Sequence, residues 1–120
     1  MKLHLLVLRT PRLEELRRFY SALGARFQRE RHGNGPEHYA ATLSDDLVLE
    51  LYPALDGSTT DAGLRLGLSV DDPGKTLRSL GQSATPRQTQ WGLRALVRDH
   101  DGRTVELLQS RQTAGSCGRV

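Results

Sequence analysis

The chain has 120 residues, 37% hydrophobic and 26% charged, which suits one packed domain and excludes both a pair of independent domains and a disordered chain. No apolar run approaches the roughly 20 residues of a membrane-spanning helix, so no membrane partner is expected. The formal net charge of +3 comes from arginines scattered along the chain, with Arg17-Arg18 the only adjacent pair and no aromatic stacking platform, so no nucleic-acid partner is expected either.

Residues 2–9 (KLHLLVLR) are rich in Leu and Val, end at Thr10-Pro11, and read as a buried strand rather than a signal peptide. A helix near 11–23 follows, with Thr10 as the expected N-cap, Pro11 at its first position and Glu14-Glu15 at the positive end of its dipole. Leu16, Phe19, Tyr20 and Leu23 form its apolar stripe, and Gly24 stops it. Residues 25–31 alternate as a strand, and 32–36 (HGNGP) form a turn that His32 and His38 flank as surface residues. Two strands, 37–43 and 46–52, are joined by a tight hairpin at Ser44-Asp45. Residues 53–62 have linker composition.

The same order then recurs: a strand at 63–70, a short helix near 72–80, a weak strand at 85–90, a better one at 91–98, a turn at 99–102 and a last strand at 103–109. His100 is expected to be exposed in that turn. The repeat lies in element order rather than residue identity. Each half is a small sheet with one helix on its outer face, and the other face needs a partner. The expected architecture is therefore α+β: two βαβββ modules, 2–52 and 64–109, in one domain over 1–110. A polar tail at 111–120 carries the single cysteine, Cys117, which excludes an internal disulfide framework and fits a reducing cytoplasm.

Four stretches carry a resemblance: LRRFYSALG (16–24), LVLELY (47–52), LSVDDPGKTLRSLG (68–81) and WGLRALVRDHDGRTVELLQ (91–109). In their order and spacing they resemble the glyoxalase/bleomycin-resistance/dioxygenase (vicinal oxygen chelate) superfamily. The resemblance implies a curved mixed sheet around a cleft. In enzymes of that family, a divalent metal takes one ligand from the first strand of each half and one from the last. Carried over, His4 and Glu50 match the first-half ligands and Glu106 the final carboxylate, whereas Arg65 stands where a histidine is expected. An alignment on Phe19-Tyr20 instead of Gly24 puts Leu5 at the His4 position.

Strand parity bears on this set. Arg65 alternates with Leu64 and Leu66, Glu50 lies between Leu49 and Leu51, and Glu106 between Val105 and Leu107, so all three face away from the helix-packed side. Arginine stays protonated and cannot ligate a metal. Two functions follow. The first is binding of a small molecule, with Arg65 favouring an anion, in a cleft lined by Arg65, Glu50, Glu106 and Trp91, in a homodimer; Trp91 reads equally as core. In this reading no cofactor is favoured. The second is a metal-dependent lyase, isomerase or dioxygenase in which zinc, nickel, manganese or iron sits on His4, Glu50 and Glu106, with Glu50 or Glu106 as the catalytic carboxylate.

Overall fold

The computed structural model describes residues 1–44, 46–54 and 61–110. The Ser44-Asp45 hairpin, most of the 53–62 linker and the tail with Cys117 fall wholly or partly outside them. The elements are β1 (Leu5–Thr10), α1 (Leu13–Ala22), β2 (Gln28–Glu30), β3 (His38–Ser44), β4 (Leu47–Pro53), β5 (Arg65–Val70), α2 (Pro73–Ser79), β6 (Arg87–Thr89), β7 (Gly92–Arg98) and β8 (Thr104–Gln109). They form two four-stranded mixed sheets of identical plan, β1-β4-β3-β2 and β5-β8-β7-β6. In each, the first strand runs parallel to the last and the remaining pairs are antiparallel. The βαβββ order expected from the sequence is thus present twice.

Period-two alternation decides which face of each sheet is dry. Leu8, Leu49 and Leu51 turn toward α1, whose Leu16, Phe19 and Tyr20 are buried, while Val105, Leu107, Ala95 and Val97 form the matching layer with Leu77 of α2. The opposite faces remain open. Along β4 and β8 they carry Glu50 and Glu106, half-buried between fully buried leucine and valine neighbours.

The helix starts differ from one another. Asp72 caps α2 by accepting a hydrogen bond from the Lys75 amide at 3.2 Å, with Pro73 next. At α1 the expected Thr10 cap is displaced: Thr10 is the last residue of β1, buried, and its hydroxyl accepts from the Arg12 amide at 2.9 Å. The N-cap position falls to Arg12, which makes no side-chain cap. Threonine therefore stabilises the strand-to-helix turn rather than the helix itself. Gly24, with φ of 115°, ends α1 as expected.

A buried ionic knot joins the two modules. Arg103, 0% exposed, donates to Asp61 (2.7 Å), Asp99 (3.0 Å), Asp101 (3.1 Å) and the Arg9 carbonyl on β1 (2.8 Å). The Asp99 carboxylate accepts the Asp101 and Arg103 amides on one oxygen, and the Tyr20 hydroxyl of α1 (2.8 Å) and Arg103 on the other. Burial works against the Arg103 charge, but the bonds to Asp99 and Asp61 outweigh it and hold the guanidinium above its ordinary value. Burial, reinforced by the Asp99 charge, pushes the Tyr20 hydroxyl far up, so it stays a donor.

Removing one partner leaves buried acids unpaired. Arg103→Met is expected to lose about 3–5 kcal/mol of unfolding free energy, and Tyr20→Phe about 1–3 kcal/mol. Urea denaturation followed by circular dichroism measures both. Wild-type midpoints in both variants would show that the knot is peripheral.

Candidate functional site

The open face of the second module is built on β5, β8, β7 and β6. Register places Gly67 opposite Glu106, and Glu106 opposite Leu96, with Arg94 one pleat along β7. From β5, Arg65 Nη2 donates to Glu106 Oε1 at 2.8 Å, and Arg94 Nε lies 3.2 Å from the same oxygen. The hydrogen bond from Arg65, helped by the Arg94 charge, holds the Glu106 carboxyl below its ordinary range. Arg87 is paired with Arg94 in register, and these two line a depression of about 330 Å³ together with Thr89 and Leu96. The face therefore holds one carboxylate between two guanidiniums, with a third guanidinium, Arg87, beside Arg94. Trp91 lies at the β6–β7 turn, 61% exposed, which corrects the reading of it as a core residue.

The open face of the first module has the opposite character. Glu50 on β4 is paired with Ala40 of β3, and Glu30 of β2 with His38 of β3. His38 is 1% exposed, stacked on the Tyr52 ring at 4.1 Å and 10°, with the His32 ring 5.1 Å away on the preceding turn. Its Nε2 lies 3.4 Å from Glu30 and 3.9 Å from Glu50. The cavity beside it, about 570 Å³, is lined by Arg26, Gln28, Glu30, His32, Thr42 and Glu50, among others. Reading His38 as a surface residue beside a turn is thus corrected. The signal was available: in EHYAATL, His38 shares parity with Ala40 and Thr42, and so with the face that carries Glu50.

The residues at the family's ligand positions fall as follows. His4 is exposed and precedes β1, its carbonyl accepting from the Val48 amide at 2.9 Å. The β1 residue paired with Glu50 is Val7, and Leu5 is paired with Val48. Arg65 and Glu106 meet, as above. Among the described residues, one group of His, Cys, Asp or Glu side chains brings its ligand atoms within 4.8 Å of one another, and it comprises Glu30, His32, His38 and Glu50, without His4 or Glu106. A metal on the family's four positions does not fit, because one position is a guanidinium and another is a carboxylate shared by two guanidiniums.

Sequence comparison agrees with the architecture. The profile of the Glyoxalase/Bleomycin resistance protein/Dioxygenase superfamily matches residues 2–107, and the chain belongs to that superfamily. Among curated proteins, no relative matches. Among solved structures, the chain is similar to TnmS3, an antibiotic binding protein from Streptomyces sp. CB03234, with 23% identity, TM-score 0.68, and coverage of 91% of this chain and 95% of that one. A glyoxalase/bleomycin resistance protein from the same Streptomyces is 23% identical, with TM-score 0.66 and coverage of 90% and 100%. A glyoxylase/bleomycin resistance protein/dioxygenase domain from Frankia sp. EAN1pec is 18% identical, with TM-score 0.67 and coverage of 92% and 98%. At these identities the likeness is one of fold. No helix among the described residues is long and apolar enough to cross a membrane.

The lowered Glu106 ionisation has a sign that can be checked. A carboxyl whose folded value lies below its unfolded value adds stability above the unfolded value, and this is lost as pH falls through the folded one. The stability difference between wild type and Glu106→Gln is expected to be full at neutral pH and to shrink once pH drops below the ordinary carboxylate range of about 4.3. Denaturation curves at stepped pH measure it. A difference that grows on acidification would contradict the pairing.

Proposed function

We propose that the chain is a small-molecule binding protein of its superfamily that takes an anionic ligand on the open face of the second module. The observation that carries this is the replacement of a metal-ligand position by Arg65, with Glu106 held between Arg65 and Arg94. One carboxylate cannot neutralise two guanidiniums and a third at Arg87, so the face retains net positive charge that an anion complements. Arg65 is 52% exposed, so its guanidinium is within reach of a ligand. Trp91, at the edge of this face, completes the lining we assign, whereas Glu50 lies on the open face of the other module. The antibiotic binding described for TnmS3 supports sequestration over catalysis as the role. To this reading we add a cytoplasmic location, with which a single cysteine is compatible.

The test uses the single tryptophan. Trp91 fluorescence is titrated with aromatic carboxylates and with their uncharged amides. The carboxylates are expected to bind at least about tenfold tighter, a difference of about 1.4 kcal/mol, and Arg65→Ala to abolish that preference. Equal binding of acids and amides by the wild type would sink the proposal.

The same reading includes a homodimer. The chain is elongated, 51 × 31 × 24 Å, and Leu5 and Leu96 on the open faces are 41% and 48% exposed. A two-fold partner packed on these leucines would turn each open face into one wall of a cleft. Light scattering is expected to give twice the chain mass at micromolar concentration; a monomer throughout the accessible range would rule it out.

A further inference from the structure

The two open faces treat their carboxylates differently. Glu106 faces permanently charged guanidiniums, whereas Glu30 and Glu50 face imidazole nitrogens. Glu30 Oε1 lies 3.4 Å from His32 Nε2 and 3.4 Å from His38 Nε2, and Glu50 Oε2 lies 3.9 Å from His38 Nε2. His38 is buried, and its Nε2 has no hydrogen-bond partner among the described residues. Its other nitrogen, Nδ1, is 3.3 Å from the Pro36 carbonyl. A carbonyl only accepts, so Nδ1 carries the proton, and in the neutral ring Nε2 presents a bare lone pair. That lone pair then lies beside two carboxylates, three electron-rich groups that a cation placed among them would draw together.

We infer that this cation is a divalent metal of the zinc type, held by Glu30, His32, His38 and Glu50. Two imidazoles and two carboxylates form a donor set that zinc accepts. Bonds of about 2.0–2.2 Å in a tetrahedron leave ligand atoms about 3.4 Å apart. The separations of 3.4, 3.4 and 3.9 Å are already close to that. The His38 bond to Pro36 fixes the ring's tautomer and orientation, as outer-shell acceptors do for metal-binding histidines. Three donors come from one hairpin, β2, its turn and β3, and the fourth from β4, so the site lies within a single module. It uses no residue of the second module and shares only Glu50 with the family's ligand positions. Its exposed member, His32, has a side chain 72% exposed at the rim of the 570 Å³ cavity, so the metal can enter from that side.

The experiment is zinc titration of the untagged full chain by calorimetry, with cobalt substitution read by visible absorption. Wild type is expected to bind one zinc per chain, and cobalt to give the ligand-field bands of a low-symmetry site. His32→Ala and Glu30→Gln change side chains outside the core, so their folds are checkable by circular dichroism. Each should weaken zinc at least about tenfold, and His38→Gln should abolish the cobalt bands. His4→Ala should retain wild-type affinity. No zinc uptake by the wild type at millimolar metal would overturn the inference. Binding lost in His4→Ala but kept in His32→Ala and Glu30→Gln would overturn it as well, because the metal would then sit elsewhere.

Discussion

One buried cation holds the two modules in register. Arg103 is out of contact with water, yet its guanidinium is matched on every side by acceptors drawn from the linker end, the β7–β8 turn and β1. A charge in that position is tolerable because four acceptors, three of them carboxylates, surround it. Lysine could not replace it, since three donors on one nitrogen cannot reach four separated acceptors. Because Tyr20 of α1 and Arg9 of β1 belong to one module, and Asp99 and Arg103 to the other, the fit of the guanidinium fixes how the sheets are set against each other. How the two open faces stand relative to each other follows from that setting.

Those faces are the product of a duplicated plan that has diverged in charge. Parallel pairing of first and last strands puts Val7 beside Glu50 in one module and Gly67 beside Glu106 in the other. Around these equivalent carboxylates the neighbours differ: imidazoles from the β2–β3 hairpin in the first module, guanidiniums from β5 and β7 in the second. The backbone therefore offers the same socket twice, and side chains one pleat away decide what each holds. An anion suits the second, and a cation the first.

Much of this was legible in the residues. Alternation in LVLELY and RTVELLQ placed both glutamates on the open face, and GLRLGLSV did the same for Arg65, because a strand has only two sides and the leucines claim one of them. The DHDG sequence announced a turn. What the residues did not disclose depends on contacts distant in sequence. Arg103 reads as an ordinary strand residue, and nothing local says that Tyr20 and the Arg9 carbonyl will surround its partners. The glycine turn flanking His38 suggests a surface position, whereas the parity of the strand that follows gives the buried one. The Thr10 cap failed for a related reason: the strand hydrogen-bonded one residue further than composition suggests, and the helix began later.

The outer strands β2 and β6 are three residues each and carry Arg29 and Arg87. An edge so short offers too few free amides and carbonyls to template another strand, and a projecting cation makes a like edge repel it. At high concentration the chain should thus resist fibrillar growth along these margins. Among the described residues, the six-residue strands β1 and β5, at the opposite margins, are the ones with edges long enough for lateral pairing.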